Sequence, residues 1–209
     1  MGPLTKIAGV AAPLDLANIN TDQIFPARFI KKPRATGYAP FTFHDLRRDG
    51  EGNPRDDFPL NQPRFAAASI LVADANFGSG SSREGAVYTL QDSGIRAIVA
   101  PSFGDIFAAN CLKNGVLTVT LPAATVAELR DELRSANDPS LTIDLAAETI
   151  RKPGGGVISF APDPFQKHCL MNGLNEIDLS LEFADRIDAF EASHCKRFPW
   201  LAPAKEGEV

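Results

Sequence analysis

The residue types best suited to chemistry lie in one stretch, Asn76-Phe77-Gly78-Ser79-Gly80-Ser81-Ser82-Arg83-Glu84-Gly85. It joins hydroxyls and a guanidinium to a glycine-rich turn ahead of a helical pattern. A helix start leaves backbone N–H groups unpaired and carries partial positive charge, so such a turn attracts a carboxylate or phosphate. Arg83, expected in the first helical turn, stands against that field, where a cation is mildly destabilising. An anion bridging the N–H groups and the guanidinium would account for it. A dinucleotide fingerprint would need glycine at Arg83 and an acid after the next strand, where Pro101-Ser102 stand. A phosphate loop of the Gly-Lys-Ser/Thr kind would need a lysine that is absent here. The plain alternative is a tight turn whose glycines allow close packing, with Ser81 or Ser82 as a helix N-cap.

The elements around this turn follow from pattern and punctuation. Residues 1–64 form a loop-rich zone, with a strand at Lys6–Val10, a short helix around Tyr38–Leu46, and dense Pro, Gly and Asn between. Residues 65–121 are regular. Strands at Ser69–Ala73, Ile95–Ala100 and Val116–Leu121 alternate with helices at about Ser82–Asp92 and Phe103–Asn114, the second capped by Ser102. This is a parallel βαβαβ unit with right-handed crossovers, and its ligands belong at the carboxyl ends of the strands. From 122 to 200 the pattern gives a helix over 124–136 with Thr125 and Glu128 as a capping box. Strands at Leu141–Leu145 and Val157–Phe160 flank a glycine turn at 154–156. A helix opens at Asp163-Pro164 and stops at Gly173. A last amphipathic helix starts at Ser180 with Phe183, Ile187 and Phe190 facing inward, and a frayed tail follows Trp200. The whole reads as one α/β domain over 1–209.

Composition limits what that domain does. Of 209 residues, 44% are apolar and 22% charged, the balance of a globular chain rather than a disordered one. At this length folding buries roughly 70% of the unfolded chain's surface, so no disulfide or metal staple is required. The net charge of −5 argues against nucleic acid or anionic lipid as main partner. No apolar run reaches a membrane span, and the first residues form no signal peptide, so the expectation is a cytoplasmic protein. Cys111, Cys169 and Cys195 are far apart, with no C-x-x-C pair. His44, His168 and His194 show no metal spacing, with His168 reading as structural. Lys31-Lys32-Pro33-Arg34 reads as solvated surface.

Taken at full length, Asn76–Glu84 followed by Ala100-Pro101-Ser102-Phe103-Gly104-Asp105-Ile106-Phe107 resembles the swivelling domain of the aconitase superfamily, and more narrowly the small subunits of isopropylmalate dehydratases. Asn20-Thr21-Asp22-Gln23-Ile24-Phe25-Pro26 is similar to the family's early Thr-Asp loop, Thr36-Gly37-Tyr38 and Phe43–Arg47 to its following helix, and Phe165–Leu174 to its C-terminal signature. The resemblance spans nearly the whole chain. It implies a β/β/α swivelling fold with a parallel core and added strands.

It also implies half of a hydro-lyase that interconverts 2- and 3-isopropylmalate in leucine biosynthesis through an alkene. No cofactor would be bound by this chain; a four-iron, four-sulfur cluster would sit in a large-subunit partner. The three scattered cysteines lack the spacing for such a cluster. By motif match Ser81 would be the base, Asp22 would position the site, and Arg83 would bind a carboxylate of a small dicarboxylate substrate. Ser82 and Gly80 would contribute through the backbone, and Phe29 and Ile30 would meet the isopropyl group, although both also suit a core. A helix start supplies at most about 2 kcal/mol against about 1.4 per pKa unit. That is far too little to make a serine alkoxide, so the base role rests on resemblance and the anion site on physics. One departure is Gly85, where the family reads histidine; another is Ser79, often cysteine there. The first leaves open a paralogous hydro-lyase acting on a citramalate-type diacid. A stand-alone carboxylate- or phosphate-binding domain is the reading outside enzymology. The catalytic reading requires the turn to be open and Arg83 not to be locked to a buried partner.

Overall fold

A computed structural model describes residues 2–201; of the expected frayed tail, 202–209 lie outside it. The strands are β1 (Lys6–Pro13), β2 (Ile70–Val72), β3 (Ala97–Ala100), β4 (Leu117–Thr120), β5 (Ser140–Asp144), β6 (Thr149–Arg151) and β7 (Val157–Ser159). The helices are α1 (Thr21–Ile24), α2 (Gly85–Asp92), α3 (Asp105–Lys113), α4 (Ala123–Ser135), α5 (Pro164–Asn172), α6 (Glu176–Leu181) and α7 (Ala184–Arg197). One seven-stranded sheet runs β4-β3-β2-β1-β5-β6-β7. From β4 to β1 the pairing is parallel, and from β1 to β7 antiparallel. The expected βαβαβ unit is therefore present, with β1 added beside β2.

Alternation within the strands builds two cores. In β2, Leu71 joins the layer with Val87 and Leu90 of α2 and Phe107 of α3. Ile70 and Val72 join the opposite layer with Val126, Leu129 and Leu133 of α4. Successive side chains of a strand point to opposite faces, so a strand covered on both sides must be apolar throughout, as β2 and β3 are.

Several expected details differ. In place of the helix at Tyr38–Leu46 there is a single 3-10 turn at Ala39–Phe41, where Pro40 withholds a donor and Phe43 takes a left-handed backbone. Ser102 does not cap α3: its Oγ accepts the Asn76 N–H at 2.9 Å, and Gly104 precedes the helix. Thr125 and Glu128 form no capping box, because α4 starts directly after Pro122. The glycine turn at 154–156 joins β7 not to β5 but to β6, an unforeseen short strand that pairs with both. Asp163 and Gly173 bound α5 as expected, Asp163 accepting the Gln166 N–H and Gly173 left-handed at φ 68°. The last helix does not begin at Ser180. α6 ends at Leu181, α7 begins at Ala184, and Phe183, Ile187 and Phe190 are exposed rather than inward.

Candidate active-site mouth

Three loops at the carboxyl ends of β1, β2 and β3 are stitched into one surface. Gly78 N–H donates to Ile19 O at 2.7 Å and Thr21 N–H to Ser79 O at 2.9 Å. Phe77 N–H donates to Ser102 O at 3.1 Å and Gly104 N–H to Phe77 O at 2.9 Å. The seam demands glycine. A Cβ on Gly78, at φ 73°, would lie 2.2 Å from the Phe107 ring, and one on Gly104 would lie 2.6 Å from Gly78 O. Beneath the seam, Arg130 of α4 is nearly enclosed, its side chain 11% exposed. It reaches Asp15 at 3.2 Å, Asp74 at 3.0 Å and Leu14 O at 3.2 Å, clamping the ends of β1 and β2 together. The Ala75 N–H, and then Arg130, hold the Asp74 carboxyl below its ordinary value.

On this frame the expected residues converge. Asn20 caps α1 in a reciprocal box, accepting the Gln23 N–H at 2.8 Å while its own N–H donates to the Gln23 side chain at 2.9 Å. That fixes Thr21 and Asp22. The buried Thr21 hydroxyl bonds Ser81 O at 3.0 Å and lies 3.2 Å from Ser81 Oγ. Asp22 accepts the Ala27 N–H at 2.8 Å and forms an ion pair with Arg83. The Ala27 bond is the main cause of the lowered Asp22 pKa; desolvation opposes it, and Arg83 adds to the lowering. Asp22 is exposed and Arg83 half-buried, so theirs is a solvent-screened, exchangeable pair, worth about 0–1 kcal/mol. Gly80, Ser81 and Ser82 are exposed, and the mouth is an open shelf.

The turn itself is built differently from the expectation. Helix α2 starts at Gly85 rather than Ser82, so neither serine is an N-cap and Arg83 lies ahead of the first turn. Arg83 N–H donates to Ser81 O at 2.8 Å in a tight reversal that keeps residues 81–83 out of the helix. The Glu84 carboxylate is drawn away to Asn114 at 2.8 Å, leaving the helix start uncapped. Among the described residues the N–H groups of Ser81, Ser82, Glu84 and Gly85 have no acceptor, so the donors of an anion cradle are present. The glycine at 85 has a structural reason, since a Cβ there would lie 2.9 Å from the Phe25 ring.

Phe29 and Ile30 divide. Phe29 is half-buried, stacked on Phe41 at 4.3 Å beneath the Arg28 guanidinium, whereas Ile30 is 49% exposed. Arg34 corrects the reading of a solvated basic cluster: it pairs with Asp92 and lies over the Tyr38 and Tyr88 rings. His168 contacts Glu182 at 3.0 Å, tying α5 to the segment before α7. Sequence reasoning misses Thr21, Asn20 and Arg130 as residues of the site. Asn20-x-x-Gln23 is a legible capping signal, whereas Arg130 carries none, because its partners lie far away in sequence.

No thiolate set for an iron–sulfur cluster is formed by the described residues of this chain. Cys111 is buried on α3, where desolvation pushes its thiol up, away from the thiolate that binds iron. Cys169 and Cys195 lie on α5 and α7, and among the described residues no three His, Cys, Asp or Glu converge as metal ligands.

Comparison with known proteins places the chain. Residues 1–124 match the family model for the aconitase C-terminal domain, and 176–204 that for the C-terminal domain of the 3-isopropylmalate dehydratase small subunit. The 3-isopropylmalate dehydratase small subunit of Dinoroseobacter shibae is 48% identical over 201 residues, covering 96% of this chain and 100% of that protein. The one from Rhodospirillum rubrum is 46% identical over 207 residues, covering 98% and 99%. The crystal structure of a 3-isopropylmalate dehydratase from Methanocaldococcus jannaschii has a TM-score of 0.62 at 24% identity, covering 89% of this chain and 99% of that one, and shares the fold. This chain belongs to the 3-isopropylmalate dehydratase small-subunit family.

Proposed function

We propose that the chain is the small subunit of a hydro-lyase that interconverts 2- and 3-isopropylmalate by dehydration and rehydration. The observation that carries this is an open half-site: Asp22, Ser81 and Arg83 come together on a shelf at the carboxyl ends of the parallel strands. A large subunit bearing a four-iron, four-sulfur cluster would complete the site, and that cluster, held by the partner, would supply the Lewis acidity for loss of hydroxide.

This chain's residues then have separate tasks. Arg83 exchanges Asp22 for a substrate carboxylate, a trade made cheap by the solvent screening of the pair and strengthened once a partner excludes water. Asp22 stays in place through the Ala27 N–H. The free N–H groups of Ser81 and Ser82 lie beside that carboxylate. Ser81 Oγ, as the alkoxide, takes the proton from carbon and becomes a neutral hydroxyl, and the Thr21 hydroxyl, 3.2 Å away, donates to that oxygen while it carries the charge. Ile30 offers exposed apolar surface to the alkyl group, while Phe29 backs it from the aromatic layer.

A second reading, a citramalate-type diacid as substrate, is favoured by one observation: the Phe25 ring occupies the space beside Gly85. Mixing the chain with a cluster-loaded large subunit under anaerobic conditions tests both. Alkene formation from isopropylmalate in the mixture, and none with the chain alone, is the expected result. Preference for the shorter diacid would select the second reading, and no activity on either would remove both.

A further inference from the structure

The C-terminal arm is left unfinished by the chain itself. Phe183, Ile187 and Phe190 fall on one face of α7 at spacings of four and three, and are 51%, 40% and 63% exposed. With Arg186 and Glu191 they line a groove of about 640 Å³. The only substantial contact of α7 with another element, among the described residues, is the short turn at Pro199–Leu201. A fourteen-residue helix with an uncovered apolar face is marginal in water, so something must cover it.

We infer that this face docks the large subunit, as the outlying half of the interface whose inner half is the mouth. The inference rests on the hydro-lyase reading above. Continuity supports it: Glu84, next to Arg83, bonds Asn114, and the adjacent Lys113 pairs with Glu176 at 2.8 Å at the root of the arm. Glu84 also acts electrostatically on Lys113. The mouth and the arm are thus bridged through the end of α3, and a partner closing one extends onto the other. Charge supports it too. Around the groove, from Glu176 to Glu191, the arm carries six carboxylates and one arginine, and Lys196 and Arg197 follow only at the far end of α7. The matching surface is an apolar patch rimmed by lysine and arginine, which a second copy of this acidic arm does not offer. The arm also coincides with the segment, 176–204, matched by the family model specific to these small subunits, apart from the aconitase-type match at 1–124.

The test compares wild type with Phe190→Glu and Ile187→Glu, and with Phe190→Leu as the conservative control. Sedimentation and activity are measured for each chain alone and titrated with the cluster-loaded large subunit. The expected result is a monomeric chain alone, at least tenfold weaker large-subunit binding for each glutamate variant, near-normal binding for the leucine variant, and unchanged kcat at saturating large subunit. Amide exchange within 184–197 should slow only in the complex. Equal binding by the glutamate variants overturns the inference while leaving the hydro-lyase reading intact. So does a chain that dimerises alone through this face, with unaltered large-subunit affinity. Wild type that neither binds nor activates the large subunit overturns the hydro-lyase reading, and this inference with it.

Discussion

The mouth and the C-terminal arm solve opposite problems. The mouth is polar and exposed, yet each of its residues is positioned from below: Thr21 and Asp22 by a reciprocal cap, Ser81 by Thr21, and the loop ends by Arg130. One face of the arm's last helix is apolar and exposed, and among the described residues the arm is tied to the body through surface contacts such as Lys113–Glu176 and His168–Glu182. Polar groups tolerate water and keep their geometry through hydrogen bonds; an apolar face has no such support until it is covered. The contrast teaches that the polar groups of the mouth are held in place by this chain alone, whereas the apolar face of the arm is not.

That contrast can be broken most forcefully at Ser81. Ser81→Ala in the reconstituted enzyme should lower kcat by about 10²–10⁴-fold, the usual weight of a general base, with the thermal unfolding midpoint unchanged. A kcat within threefold of wild type would remove Ser81 from the chemistry. Arg130→Met tests whether the mouth is truly braced from below. It should cost about 2–3 kcal/mol, since two carboxylates lose a charged donor, and lower the unfolding midpoint by roughly 4–12 °C. Arg83→Lys replaces a two-pronged donor by a point charge and should raise KM about tenfold with a smaller change in kcat. The smallest effect concerns the edge of the mouth. The Arg28 guanidinium, with His44 contributing less, holds the Asp45 carboxyl at about 2, against an ordinary value of 3.8. A depressed pKa gives stability that is full above 3.8 and lost as pH falls through about 2. Denaturant unfolding of wild type and Asp45→Asn should therefore differ at pH 5 by less than about 1 kcal/mol, given the exposure of the pair, and converge below about pH 2.

How much was legible in advance varied with the range of the forces involved. The parallel strands at 70–72, 97–100 and 117–120 fell within the expected runs, because burial on both faces forces continuous apolar sequence. Asp163 and Gly173 bounded α5 for local reasons of capping and left-handed backbone. Where a side chain had a distant alternative, local reading failed. Ser102 accepts from Asn76 rather than capping α3, and α2 starts at Gly85 rather than Ser82. The inward placement of Phe183, Ile187 and Phe190 failed for another reason: periodicity identifies an apolar face and says nothing about which surface covers it.

By itself, the sequence determined the α/β alternation and the glycine-rich turn ahead of α2, because these depend on neighbours within a few residues. Only the tertiary structure decided that Arg83 meets Asp22, that Thr21 backs Ser81, and that Arg130 ties two strands beneath them. Those contacts join segments tens of residues apart. Their energies exist only once the sheet has brought the segments to hydrogen-bonding distance.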